Sequence, residues 1–174
     1  AGPEVAIMSQ DGAALLAPGN AGEIVIRGES VFSGYESNAA ANAEAFSGDW
    51  FRTGDQGVMD EDGYISITGR IKEIINRGGE KISPREVDDI LMDHPAVQQV
   101  VTFAMPHEKL GEEVAAAIVL RDGETASEND FRDFARSRLA DFKVPRKVLI
   151  LDEIPKGATG KLQRIGLATK LGLG

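Results

Sequence analysis

The chain has 174 residues, a formal charge of −9, no cysteine and 27% charged residues. That length allows one medium domain, or a small domain beside part of another, and the acidic balance excludes a general nucleic-acid binder, which needs clustered Lys/Arg. Lack of cysteine excludes disulfides, a thiolate nucleophile and cysteine metal sites, and no apolar run nears the roughly 18 residues that cross a membrane.

In chain order, Gly22–Gly28 alternates between two glycines as a half-buried strand does. Asn38–Phe46 reads as a short helix with an asparagine N-cap. Gly57–Met59 and Tyr64–Thr68 flank the turn Asp60-Glu61-Asp62-Gly63 as a hairpin. Character changes near Gly69–Lys72. Ser83-Pro84 is an N-cap followed by proline at the first helical position, and Val87, Ile90 and Leu91 recur at helical spacing up to His94-Pro95. Val97–Met105 and Val114–Leu120 are β-branched runs separated by the charged loop His107–Glu113. Ser127-Glu128-Asn129-Asp130 caps a helix whose inner face carries Phe131, Phe134, Ala135, Arg138 and Leu139. Val148–Leu151 follows as a strand and Gln163–Leu171 as a final helix. The expected class is α+β: a β-rich unit over 1–71, then a small sheet packed with helices over 72–174.

Charge is uneven along this order. Residues 1–71 hold three Lys/Arg against eleven Asp/Glu, whereas from Lys143 onward seven basic residues meet only Asp152 and Glu153. A local positive excess suits a small polyanion better than a duplex, and a solvated charged surface is the plainer alternative.

Several residues bear chemistry, each with a plain local reading. Asp55 follows Thr53-Gly54 and would cap that turn; Arg70 would pair with a nearby acid such as Asp55. Lys72 is an exposed lysine, Gly78-Gly79 a tight turn, and Phe142 a core or linker aromatic. Lys161 after Gly160 is a surface lysine, and His94 and His107 are loop histidines without a partner at ligand spacing, so no metal site is expected.

Taken together, Trp50-Phe51-Arg52-Thr53-Gly54-Asp55, Gly69-Arg70-Ile71-Lys72, Arg77-Gly78-Gly79-Glu80-Lys81-Ile82-Ser83-Pro84 and Pro155-Lys156-Gly157-Ala158-Thr159-Gly160-Lys161 resemble the closing signatures of the adenylate-forming superfamily: acyl-CoA synthetases, carrier-protein adenylation domains and luciferases. The resemblance runs from Gly22 to about Lys170. It implies that residues 1–71 end a nucleotide-binding domain, whose phosphate loop would lie upstream, and that 72–174 form a mobile C-terminal domain. By the same resemblance Lys161 is the adenylation lysine, Asp55 accepts from the ribose hydroxyls of ATP, and Arg70 contacts the nucleotide. Lys72 is the hinge, Gly78 and Gly79 line the pantetheine passage, and Phe142 stacks on the CoA adenine. The implied ligands are ATP with Mg²⁺, CoA and a carboxylic acid, and the implied partner is the rest of the same protein.

Ser83-Pro84-Arg85-Glu86-Val87-Asp88 and Met105–Glu113 look most like acyl-CoA synthetases of the oxalate–CoA ligase type. A carrier-protein-loading adenylation enzyme and a non-catalytic binding module are the alternatives; intact Asp55 and Lys161 count against the second. Lack of cysteine fits a reducing, cytoplasmic compartment, and a chain that starts at Ala1 leaves targeting signals unassessed.

Overall fold

The structure is a computed structural model that describes residues 2–29, 31 and 38–174. The chain divides into two compact units, Ala1–Lys72 and Glu73–Gly174.

The first unit is an antiparallel sheet with one short helix. Its elements are β1 (Glu4–Met8), β2 (Ala21–Arg27), α1 (Ala39–Ala45), β3 (Phe46–Ser47), β4 (Trp50–Met59) and β5 (Ile65–Arg70). Strand β4 pairs with β2 along one edge, and β3 and β5 share the other. The expected caps and turns form. Asn38 Oδ1 accepts the Ala41 amide at 3.0 Å, which satisfies a helix-start donor that has no partner within the helix. Asp60 Oδ1 accepts from the amides of Asp62 and Tyr64, closing the β4–β5 hairpin. Met8, Val25 and Trp50 make the core, with the Arg27 guanidinium 4.5 Å from the Trp50 ring centroid.

Strand β2 departs from the expected alternation: Gly22, Glu23, Ile24 and Val25 are all buried. Its register against β4 shifts between Glu23 and Val25, so a bulge interrupts the two-residue period. Glu23 is drawn inward because Arg52 and the Gly54 amide bind its carboxylate.

The second unit holds β6 (Ile75–Arg77), β7 (Glu80–Ile82), α2 (Pro84–Met92), β8 (Val97–His107), β9 (Gly111–Leu120), α3 (Glu128–Arg136), β10 (Lys147–Ile150) and α4 (Leu167–Lys170). Strand β9 is central. Strand β8 pairs with it antiparallel from Val97 opposite Leu120 to His107 opposite Gly111. On its other edge β10 runs parallel, Lys147–Ile150 against Ala115–Ile118, after a crossover through α3; β6 meets β9 at Arg77 opposite Gly111.

Both faces of this sheet are covered, which explains why Val114–Ile118 are buried without interruption. One face packs Val87 and Leu91 of α2 and Phe131 and Ala135 of α3 against Val100, Val114, Ala116 and Ile118. The other packs Ile154, Leu167 and Ala168 against Val101, Phe103, Ala115 and Ala117. The Ser83 and Ser127 caps form as expected, and Ser127 with Asp130 closes a full capping box.

Three local expectations are corrected. The charged loop shrinks to Glu108–Leu110, because Gly111, Glu112 and Glu113 join β9 and both glutamates bind β6. Arg138 lies beyond the end of α3 and is exposed, its guanidinium 3.7 Å from the Phe134 ring centroid rather than in the core. The final helix starts at Leu167, not Gln163, because Gly166 takes the left-handed conformation and Arg164 is drawn into an ion-pair network.

Candidate active site

Asp55 sits where β4 bulges. The Thr53 hydroxyl donates to the Ile24 carbonyl at 2.6 Å and accepts the Asp55 amide at 3.1 Å. Gly54, at φ +75°, gives its amide to Glu23 Oε1 at 3.0 Å, and Arg52 grips Glu23 Oε2 at 2.7 Å. Glu23 is thus a buried, paired carboxylate that fixes the bulge presenting Asp55. Sequence reasoning missed it: between Gly22 and Ile24 it occupies what looks like an outward position, and only the bulge turns it in. Asp55 stands opposite Arg70 in the β4–β5 ladder, and Arg70 Nε lies 3.1 Å from Asp55 Oδ1. The two expected nucleotide residues are brought together as an ion pair, with Arg70 largely exposed. Such a half-exposed pair holds loosely and can exchange partners with an incoming polar ligand.

Lys72 ends the first unit, exposed within a single 3-10 turn, Ile71–Glu73.

Gly78 and Gly79 form the two-residue loop of the β6–β7 hairpin, with φ +58° and +97°. Positive φ at both central positions is what a tight hairpin turn of this kind demands. The turn is held from beneath: the Gly78 amide donates to the Leu110 carbonyl, and Asn76 Oδ1 accepts the Gly79 amide. Arg77 Nε reaches both oxygens of buried Glu113 at 2.7 and 2.9 Å, while Glu112 accepts the Asn76 amide at 2.7 Å. A Cβ on Gly79 would meet nothing within 4 Å, whereas one on Gly78 would meet Leu110 Cδ2 at 3.0 Å, so only the Gly79 side of the turn faces open space.

Phe142 is half-buried against the main core, in a 3-10 turn Asp141–Lys143. His94 stands edge-on to Phe131 and Phe134, and His107 Nδ1 accepts the amides of Lys109 and Leu110. Both therefore have structural employment. Among the described residues no group of three or more His, Asp or Glu is gathered to hold a metal.

Lys161 is exposed on a small hairpin. Lys156 bridges Leu162, the Gly157 amide donates to the Lys161 carbonyl at 2.8 Å, and Gly160 turns at φ +75°. Buried Ile154 precedes this loop and buried Leu167 follows it, so the lysine projects from a short strap anchored at both ends in the sheet core. Lys170 Nζ donates to the Lys156 carbonyl at 3.1 Å. Arg164 lies 2.5 Å from Asp88 Oδ2 and 3.1 Å from Glu73 Oε2, and donates to the Thr102 carbonyl at 3.1 Å. Burial pushes the Asp88 carboxyl above its usual range, and the Arg164 charge beside it offsets part of that rise. Lys161, the glycine turn and Phe142 lie on three different elements of the second unit.

Residues 86–161 match the family of AMP-binding enzyme C-terminal domains. The chain is 52% identical over 163 residues to a probable CoA ligase, CCL9, of Humulus lupulus, covering 94% of this chain and 31% of that protein. It is 51% identical to the oxalate–CoA ligase of Arabidopsis thaliana, covering 94% of this chain and 32% of that one. Among solved structures, ATP-bound MatB from Rhodopseudomonas palustris superposes with a TM-score of 0.89 at 30% identity, over 98% of this chain and 34% of that chain. The chain therefore spans about a third of the length of the relatives it matches. Residues 86–161 are therefore an AMP-binding enzyme C-terminal domain, and the chain as a whole is similar in sequence to CoA ligases and in fold to an ATP-bound adenylate-forming enzyme.

Proposed function

We propose that this chain is the C-terminal portion of an ATP-dependent acyl-CoA synthetase, which joins a carboxylic acid to AMP with loss of pyrophosphate and then passes the acyl group to CoA. The observation that carries the reading is Lys161, a free-standing cation on a strap whose two ends are fixed in the sheet core. Adenylation brings a carboxylate to the α-phosphate of ATP. A cation held between two anions lowers the cost of their approach and stabilises the charge developing on phosphorus. Lysine on a flexible stem can also withdraw once the adenylate has formed.

Asp55, held on its bulge, has the acceptor chemistry for two ribose hydroxyls, and Arg70 beside it suits a nucleotide's oxygens. Mg²⁺ enters in this reading as the ATP complex. Lys72, exposed at the boundary between units, is read as the hinge of a domain 72–174 that turns relative to the nucleotide-binding portion ending at 71. The Gly78–Gly79 turn, open at Gly79, is read as the wall of the pantetheine passage, and Phe142 as a stacking surface for CoA that is also core. A small acid of the oxalate type is the proposed substrate class, since the oxalate–CoA ligase likeness is among the strongest. The cytoplasm is the proposed compartment. The 174-residue chain alone is read as inactive, because adenylation needs both reactants positioned and the acid pocket is assigned to the preceding domain.

Lys161→Ala in the full-length enzyme tests the reading. Adenylation, followed by ATP–pyrophosphate exchange, is expected to fall on the order of 10²–10³-fold, as with loss of one oxyanion donor. CoA ester formation from supplied acyl adenylate is expected to stay near wild type. Equal loss of both steps refutes the assignment.

A further inference from the structure

We infer that Arg164 is the positioning residue for Lys161, acting as a three-way clamp on the strap that carries it; this rests on the role of Lys161 proposed above. The strap from Pro155 to Gly166 contains no helix, and its internal order rests on the Lys156–Leu162 hairpin. Its residues are largely exposed apart from Arg164, which is turned inward.

The acceptors of Arg164 come from three separate elements. Glu73 is the first residue of the second unit and the last of the 3-10 turn Ile71–Glu73, Asp88 is on α2 and Thr102 on β8. Asp88 is itself fixed, because its Oδ1 accepts the Thr102 amide at 2.7 Å. Thr102 thus gives both its N–H and its C=O to side chains instead of to a neighbouring strand. One guanidinium closes this ring, three residues after Lys161.

The geometry demands arginine. Nε faces Glu73 while Nη1 faces Asp88 and the Thr102 carbonyl, so two nitrogens of one plane serve three oxygens. A lysine has a single point of charge on a flexible stem and cannot hold that spread in one orientation. At the opposite end Lys170 holds the Lys156 carbonyl, a weaker and exposed tie. Releasing Arg164 therefore leaves the Lys161 hairpin attached through that tie and the buried Ile154 and Leu167, with its tip free to wander. Misplacement of a catalytic group by about 1 Å can cost on the order of 10²-fold in rate without harming binding. Arg164 contacts no reactant in this account; it acts through Lys161.

Arg164→Lys is the test, because it keeps the charge and removes the fork. In the full-length enzyme the adenylation kcat is expected to fall about ten- to 100-fold. The KM for ATP and CoA ester formation from supplied acyl adenylate are expected to stay near wild type. In the 174-residue chain, hydrogen exchange at the Gly157 and Gly160 amides is expected to quicken about tenfold, while amides of β8 and β9 keep their protection. Unchanged adenylation and exchange, with Lys161→Ala inactive in adenylation, overturns the clamp alone. Equal loss of both half-reactions with unaltered strap exchange overturns it as well, since that is the mark of a merely structural arginine. Adenylation intact in Lys161→Ala overturns the role of Lys161 and the clamp with it.

Discussion

At the residue scale the controlling feature of both units is a carboxylate kept out of water and matched to a guanidinium. Glu23 with Arg52, Glu113 with Arg77 and Asp88 with Arg164 each tie a loop or bulge to the sheet beneath. Breaking such a pair on one side costs more than the pair contributes, because the other charge stays behind unmatched. Asp88 makes this measurable. Burial already raises its proton affinity, and Arg164 is the main influence working against that rise. Glu73 faces the same guanidinium, so Arg164→Gln strands two acids together. With Arg164 gone, the folded-state pKa of Asp88 climbs further above its unfolded value. The folded chain then binds more protons than the unfolded one between those two values, so stability falls as pH rises through that window. The melting temperature of Arg164→Gln is thus expected to lie furthest below wild type near pH 7 and to approach it near pH 4.5. A deficit that grows on acidification contradicts this account of Asp88.

At the element scale, the hairpin around Gly78–Gly79 shows how a turn can serve two ends. Positive φ at both positions is required to fold the hairpin, and the absence of a side chain at Gly79 leaves open space beside it. Gly79→Leu therefore carries a conformational cost of roughly 1–3 kcal/mol at φ +97° and fills that space. If the turn walls the pantetheine passage, the variant is expected to keep ATP–pyrophosphate exchange and lose CoA ester formation. Survival of the ester step at wild-type rate returns the pair to being a turn only.

Much at this scale was legible in the sequence. Ser83-Pro84, Ser127 and Asn38 announce helix starts because capping is local chemistry, and the β-branched runs of β8 and β9 reflect burial on both faces. Apart from Arg138, which stacks on nearby Phe134 just past the end of α3, the failures share a cause, which is pairing across long sequence separations. Glu112 and Glu113 look like loop residues until Asn76 and Arg77 claim them, 36 residues away. Gln163–Ile165 looks helical until Arg164 is taken by Asp88, 76 residues away. Glu23 reads as an exposed strand residue until Gly54 opens a bulge opposite it. Of the candidate site, the motifs expose which residues carry charge or lack a side chain, but not the acids that hold them in place.

At the scale of the whole molecule, the chain divides between Lys72 and Glu73, where the proposed pivot lies. The first unit has its own core around Met8, Val25 and Trp50, and the second has a sheet packed on both faces. The boundary falls within one 3-10 turn, Ile71–Glu73, in which Lys72 is exposed, and hinges commonly take up large φ/ψ changes over a few such residues. Glu73, the last residue of that turn, is bound to Arg164, which ties its C-terminal side and leaves Lys72 as the residue at which the proposed pivot is tested. Lys72→Pro locks φ near −65° and removes the amide hydrogen there. A fixed φ at position 72 is expected to bar the backbone change that a pivot there requires. If Lys72 is the pivot, ATP–pyrophosphate exchange in the full-length variant is expected to remain within a few-fold of wild type while CoA ester formation drops by at least about 10²-fold. The reverse split, with exchange lost and the ester formed from supplied acyl adenylate, means that the fixed φ favours the thioester step instead. Equal loss of both at an unchanged melting temperature removes the hinge from Lys72 altogether.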